Sequence, residues 1–263
     1  MQFWFQPSDL SDLQNLVKLA RRRKIPLRII GAGSNILADD RKIKGIVARL
    51  DSPCFKRIVI KQDLIRAGAG VRLAQLVRRT QENGLSGFEL LSGIPGTVGG
   101  ALIMNAGNIG DRVLDVTALD RCGRIKTIEH KDARFSYRSS NLGRCIILSA
   151  RFRLFKKDKR AIAKSIKDYL DYRRKTQELS YPSAGCFFKN PNLKSAAYFI
   201  ERAGLKGSSF GDAAVSYKHA NFIINKGKAS FDDVLRLAKH ITRCVRERFN
   251  LNLKPEIKIW KQI

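Results

Sequence analysis

Three observations predict a mixed chain of the α/β or α+β class. Apolar residues recur at helical spacing in some segments and as short strand-like runs in others, and the two kinds alternate along the chain. The length, 263 residues with 44% hydrophobic content, suffices for one large domain or two modest ones with a sizeable core. The segments are punctuated by glycine-rich turns; no internal repeat or low-complexity linker separates them.

In chain order, Ser11-x-x-Gln14 resembles a capping box, and Leu10, Leu13, Leu16, Val17 and Ala20 follow at helical spacing. Pro26 stops that helix, and Leu27–Ile30 reads as a strand running into Gly31-Ala32-Gly33-Ser34-Asn35. Asp39-Asp40-Arg41 reads as a loop and Gly45–Leu50 as a second strand. Strands follow at Phe55–Ile60 and Leu64–Ala67, then a helix with Leu73, Leu76 and Val77 on one face, ended by Gly84. Val113–Leu119, Ile125–Ile128 and Cys145–Leu154 read as strands. The basic segment Phe155–Lys175 carries a helical pattern through Ile162, Ile166 and Leu170. Beyond it lie a helix near Ala196–Ala203, a turn at Gly204–Gly207, a strand near Phe222–Ile224, a long amphipathic helix from about Ser230 to Phe249, and a strand at Ile257–Trp260.

Composition excludes several classes. The apolar runs, Cys145–Leu148 among them, are too short to span a bilayer, and the N-terminus lacks a basic region followed by an apolar one. Five scattered cysteines without a C-x-x-C pair argue against a zinc site or disulfide framework and fit a reducing cytosol. No metal site is expected. Lysine and arginine outnumber acids 51 to 23, for a net charge of +28. The basic residues are dispersed, and the longest run, Arg21-Arg22-Arg23-Lys24, ends a predicted helix, where cations suit the dipole. A diffuse compositional bias is favoured over a nucleic-acid-binding surface, since aromatic–basic interleaving is lacking.

Two stretches stand out chemically. Gly31 and Gly33 suggest a dinucleotide turn, but the third glycine of the Rossmann fingerprint is Ile36 here and no helix pattern follows at once. A different phosphate-contacting turn remains, with Ser34 and Asn35 as added donors. The second stretch, Gly93-Ile94-Pro95-Gly96-Thr97-Val98-Gly99-Gly100 through Asn105-Ala106-Gly107, is dense in glycine. It reads either as a tight buried turn or as a cradle whose free N–H groups hold a cofactor pyrophosphate.

These motifs occur in a set order. Gly31–Asn35, Gly87-Phe88-Glu89, Gly93–Gly100 and Met104–Gly107 are followed by Tyr137-Arg138-Ser139-Ser140, Ala184-Gly185-Cys186-Phe187-Phe188-Lys189-Asn190-Pro191, Val215–Asn225 and Pro255-Glu256. Together, over essentially the whole chain, they resemble the UDP-N-acetylenolpyruvoylglucosamine reductase family. The resemblance implies an α+β fold: a two-lobed FAD-binding domain of the vanillyl-alcohol-oxidase/PCMH type over residues 1–157, split near 52, and a substrate-binding domain over 158–263 whose C-terminal strand returns to the FAD lobe. It also implies a cytoplasmic, monomeric flavoenzyme of peptidoglycan precursor synthesis. FAD would be bound non-covalently, since no histidine precedes His130, NADPH would donate hydride, and the partners would be small molecules only, with no nucleic acid and no membrane insertion.

The resemblance further implies site residues. Gly31, Ala32, Gly33, Ser34, Asn35, Gly93, Ile94, Pro95, Gly96, Thr97, Gly99, Gly100, Asn105, Ala106, Gly107 and Arg138 are expected at FAD. Arg138, Cys186 and Glu256 are expected in catalysis: Arg138 clamping the substrate carboxylate or developing enolate, Cys186 giving the proton to C2, and Glu256 as the second polar partner of the intermediate. Cys186 stands where many members have serine; an ordinary thiol, with pKa about 8.5, holds a proton at neutral pH. Tyr137, one arginine of the Arg173–Arg174 pair (Arg174 before Arg173), Asn190, Lys206 and His219 are expected at the substrate. Two departures are noted. The family usually carries an extension with a strand ahead of the residue matching Phe5; if that strand is missing here, the FAD lobe has a thinner edge. The Phe210-Gly211-Asp212 turn stands where a Gly-Gly pair is common. Another flavin oxidoreductase of the same fold, or a polyanion-binding protein on it, are the competing readings.

Overall fold

The computed structural model describes residues 3–41, 43–191 and 194–262. Packing divides the chain into two units, 1–33 with 44–171 and 34–43 with 172–263. In chain order the strands are β1 (Phe3–Phe5), β2 (Leu27–Ile30), β3 (Ile36–Ala38), β4 (Ile46–Arg49), β5 (Ile58–Lys61), β6 (Leu64–Gly68), β7 (Leu85–Ser86), β8 (Val113–Leu119), β9 (Ile125–Glu129), β10 (Ile146–Arg153), β11 (Phe155–Lys156), β12 (Ser183–Cys186), β13 (Ser209–Phe210), β14 (Ala213–Val215), β15 (Phe222–Asn225) and β16 (Lys258–Trp260). The helices are α1 (Leu10–Arg22), α2 (Leu73–Glu82), α3 (Val98–Met104), α4 (His130–Ala133), α5 (Lys159–Thr176), α6 (Ala196–Arg202) and α7 (Phe231–Phe249). Among the described residues no helix is long and apolar enough to cross a membrane.

The first unit holds a parallel sheet, ordered β1-β4-β2, and an antiparallel sheet, ordered β5-β6-β10-β8-β9. Helix α1 buries the expected stripe Leu13, Leu16, Val17 and Ala20. A leucine buried as fully as Leu13 stabilises by about 2 kcal/mol. Its cap is Asp9, which accepts from the Asp12 N–H at 2.8 Å while Asp12 accepts from the Ser8 N–H, so the N-cap lies two residues before Ser11 and the expected Ser11–Gln14 box does not form. A strand does precede α1: Phe3–Phe5 pairs with Ile46–Ala48, so the condition for a thinner edge is not met. Pro53–Lys56 is a single 3₁₀ turn, so the strand expected from Phe55 starts at Ile58. The core of this unit includes Phe88 and Phe152, whose rings meet edge to face at 5.2 Å. Helix α5 starts at Lys159 because Phe155–Lys156 pairs with Leu85–Ser86 and the Asp158 carboxylate then accepts from the Arg160 and Ala161 N–H groups.

The second unit is a four-stranded antiparallel sheet, ordered β12-β15-β14-β13, against α6 and α7, with β16 and β3 paired in parallel. The loop expected at Asp39–Arg41 is thus entered by strand β3, whose register with Lys258–Trp260 is set by the chain's far end. Helix α7 opens on a complete capping box, Ser230 with Asp233, and ends at Asn250 in the left-handed conformation. The Gly211-Asp212 turn joins β13 to β14. Gly211 has φ +52, and a Cβ there would lie 2.7 Å from the Asp233 carboxylate, so one glycine is required. Asp212 accepts from the Lys228 N–H at 2.6 Å, tying the hairpin to the neighbouring loop.

Candidate flavin and substrate site

In the first unit a cleft of about 520 Å³, its open mouth included, lies among the two glycine motifs and the ends of β2, β4 and β10. The motifs meet directly: a Cβ on Gly31 would stand 2.5 Å from Thr97 Oγ1. Thr97 caps α3, accepting from the Gly100 N–H at 3.4 Å. The stretch read as a loop is therefore half helix. The expected nest of free N–H groups is not made by Val98 and Gly99, which donate to the Val71 and Ala69 carbonyls at 2.9 Å. Gly99 is small for close packing, since a Cβ there would touch Ala69 Cβ at 3.0 Å. Gly100 is exposed, and a Cβ there would meet nothing nearer than 3.6 Å, so a ligand can approach it closely although its N–H is held by Thr97. Gly93, at φ +71, needs glycine for its conformation. Ser92, just before it, is 3% exposed, and its buried hydroxyl has no partner.

Asn105 ends α3 at φ 45. Its side-chain oxygen accepts from the Gly110 N–H at 2.9 Å and its amide donates to the Ser136 carbonyl at 3.1 Å. Asn105-Ala106-Gly107 thereby fixes the turn at Tyr137-Arg138, closed by reciprocal Ser136–Ser139 backbone bonds. Ser140 adds a bond to the Ile103 carbonyl at 3.1 Å. Arg138 sits at φ +51, a conformation costly for an arginine and held by these ties. Its guanidinium carbon lies 5.7 Å from the Tyr137 ring centre, and Tyr137 is exposed.

In the second unit Cys186 closes β12 opposite Phe222, after a register shift at Gly185, φ +77. The shift re-aims the residue that follows it. The Glu256 N–H donates to the Phe187 carbonyl at 2.8 Å, so the backbone holds Glu256 beside the residue after Cys186. Buried Asn221 fixes this strand crossing: its side chain accepts from the Phe188 N–H at 2.9 Å and donates to the Phe188 carbonyl at 2.8 Å. His219 Nδ1 accepts from the Asn221 N–H at 3.2 Å. Burial, then the charge of Lys206, pushes the imidazole below its ordinary value. Lys206 pairs with Glu201 at 2.8 Å. Asn190 Oδ1 accepts from the Ala196 N–H at 3.0 Å at the start of α6, which Ser195 caps, and the exposed Arg174 gives its carbonyl to Lys218 Nζ. Lys206 and His219 are thus near each other, whereas Asn190 works at a helix start. Ser34 and Asn35 belong to the second unit; Asn35 accepts from the Lys258 N–H at 2.9 Å.

The sequence reading missed Ser92, Asn221 and the cleft residues Arg49, Asp51 and Cys145. Asn221 stood within a quoted motif; the cleft residues carry no local signal, because only the sheet pairing brings them together. Apolar walls from Ile29, Ile30, Leu50, Ile146 and Ile147, the exposed Gly100 backbone, and a partnerless hydroxyl at Ser92 beside the loop suit a dinucleotide with flat rings and a pyrophosphate. Among the described residues no group of three or more His, Cys, Asp or Glu could hold a metal ion.

Residues 1–129 match the model of an FAD binding domain, and residues 177–260 that of the C-terminal domain of UDP-N-acetylenolpyruvoylglucosamine reductase. The matched stretches contain Gly31, Thr97 and Gly100 in the first case and Cys186 and Glu256 in the second, in an α+β chain that uses FAD. The reductase of Geotalea uraniireducens is 41% identical over 263 residues, covering 98% of this chain and 87% of that protein. That of Caldanaerobacter subterraneus is 40% identical, covering 96% and 85%. The crystal structure of UDP-N-acetylenolpyruvylglucosamine reductase from Thermus caldophilus superposes with a TM-score of 0.84 at 32% identity, over 98% of this chain and 92% of that one. Likeness of this degree over nearly the full length of each protein leaves one assignment: the chain belongs to the UDP-N-acetylenolpyruvoylglucosamine reductase family.

Proposed function

We propose that this chain reduces UDP-N-acetylglucosamine enolpyruvate to UDP-N-acetylmuramate with NADPH, as a cytoplasmic, monomeric enzyme of peptidoglycan precursor synthesis that holds FAD non-covalently. The observation that carries the reading is the fixing of Cys186 and Glu256 on adjacent backbone, through the Glu256–Phe187 bond and the Asn221 clamp, within the matched reductase domain. The chemistry FAD supplies when bound is hydride transfer from NADPH to C3 of the enolpyruvyl ether.

The remaining tasks fall to side chains. Ser92, Thr97 and Gly100 hold the dinucleotide in the first unit. Arg138 offers a planar, permanently charged fork to the substrate carboxylate, whose negative charge grows as C3 gains hydride. Its constrained backbone limits the reorganisation needed at that moment. Cys186 holds a proton at Sγ and delivers it to C2, in the role served by serine in many relatives. Glu256 steadies the developing enolate as the protonated acid, whose O–H can donate a hydrogen bond to it. Lys206 and the neutral His219 serve the diphosphate–sugar portion, with Arg174 and Asn190 at its edge and Tyr137 packing beside Arg138.

Purified protein should be yellow and should release all flavin on acid precipitation. NADPH should bleach it, and the enolpyruvyl substrate should restore the colour. Cys186→Ala should still be bleached by NADPH yet make product at least about 100-fold more slowly, the scale of a lost general acid. Normal turnover by that variant would remove Cys186 from the mechanism. Protein that takes up no FAD would end the reductase reading.

A further inference from the structure

The cleft of the first unit contains an acid that the reductase chemistry does not use. Asp51 follows β4 and shares the cleft with Gly31, Thr97 and Gly100. Its Oδ1 lies 2.9 Å from Lys56 Nζ and 4.0 Å from Arg49 Nε. The Lys56 hydrogen bond, against a smaller opposing effect of burial, holds the carboxyl below the usual carboxylate range. At neutral pH Asp51 is therefore an acceptor-only group. Such a group repels phosphate and attracts hydroxyl donors.

The neighbours of Asp51 narrow what those hydroxyls belong to. Apolar Ile29, Leu50 and Ile147 offer a slot for a flat ring, and exposed Gly100, with no side chain, leaves space for phosphate beside it. A flat ring, then a polyol, then phosphate describes both halves of FAD. Hydride exchange decides between them. The reacting ring must be reached in turn by NADPH and by the sugar substrate, whereas this cleft is lined wholly by one unit. The half whose ring takes no part in that exchange, and so can rest against one unit alone, is adenosine diphosphate. We infer that Asp51 is the residue through which this protein recognises the ribose diol of the adenosine half, and so selects FAD over FMN.

This rests on FAD as the resident flavin, and binding alone tests it. With the full-length protein freed of flavin, FAD and FMN affinities are measured by flavin fluorescence, and ADP and 2′-deoxy-ADP by displacement of FAD. The wild type should bind ADP about tenfold more tightly than 2′-deoxy-ADP, the scale of one hydrogen bond to a charged group. Asp51→Asn should weaken FAD by about tenfold, leave FMN unchanged, and erase the difference between ADP and 2′-deoxy-ADP. Lys56→Met breaks the same ion pair but keeps the carboxylate, and should keep that difference. The inference fails if the wild type does not discriminate the deoxy nucleotide, a result that needs no variant. It fails equally if Asp51→Asn binds FAD normally or loses FMN as much as FAD, or if Lys56→Met loses the discrimination. A wild type that binds no FAD at all would instead sink the reductase reading.

Discussion

His219 shows how a single residue's environment fixes its chemistry. Its Nδ1 accepts from the Asn221 N–H, which puts the proton of the neutral ring on Nε2, and the ring packs 4.7 Å from Phe222. Burial, and next the charge of Lys206, disfavours the imidazolium, so the folded-state value lies below the ordinary 6.5. The unfolded chain then binds more protons than the folded one in the interval between the two values. The resulting stability is fully present above pH 6.5 and drains away as pH falls through that interval. Thermal melts from about pH 8 down to about pH 5 should show Tm falling for the wild type below that value, and a flatter profile for His219→Gln. Identical slopes would mean that the folded protein carries a charged ring. A neutral His219 can donate to a ligand from Nε2 but brings no positive charge to it.

At the scale of elements, the joint between the two glycine motifs is the feature that most constrains the cleft. Gly31 follows β2, Thr97 caps α3, and there is no room for a methyl group between them. Thr97 is buried and its hydroxyl is held at the Gly100 N–H, so it has little freedom to yield. Gly31→Ala should therefore cost about 1–3 kcal/mol through overpacking. Thr97→Ala should cost about 1 kcal/mol through the lost cap. The double variant should cost less than the sum, by about 1 kcal/mol, because removing Oγ1 relieves the clash. Additive losses in denaturant melts would show that the two residues do not press on each other.

This joint also marks where the sequence was readable. Elements built from local pattern stood close to where the spacing put them: α1, α7, β2, β8 and β15 are each defined by their own apolar rows and caps. Elements that exist only by pairing with distant chain were silent. β3 is three residues whose partner is β16, more than two hundred positions on. The same divide holds in the site. Gly93, Gly100, Arg138, Cys186 and Glu256 sit in motifs dense enough to be recognised together. Asp51, Arg49 and Cys145 belong to the cleft only because their strands' ends converge, and a glycine-rich loop could not reveal that Val98 and Gly99 spend their N–H groups on the chain just beyond β6.

Across the whole molecule, net charge outweighs any single ion pair. Even if each carboxylate took one cation, twenty-eight cations would have no counter-charge, and many acids are already engaged: Asp39 with Arg41, Asp115 with Arg151, Asp120 with Arg124. The surplus is spread over both units, so it acts as general self-repulsion opposing the compact state. Such repulsion has a range of about 30 Å at 0.01 M salt and about 8 Å at 0.15 M. Raising NaCl between those concentrations should therefore raise the Tm of the flavin-free protein by several degrees, as a gain of about 1 kcal/mol would. The pyrophosphate of FAD is drawn by the same positive field, so FAD affinity should fall over the same range. The stabilisation conferred by a fixed excess of FAD, which follows the ratio of its concentration to its Kd, should shrink as the flavin-free protein gains. The gap between the two melting temperatures should therefore narrow steadily as salt increases. A flavin-free Tm that falls with salt would mean that specific ion pairs, not net repulsion, govern the electrostatics of this fold.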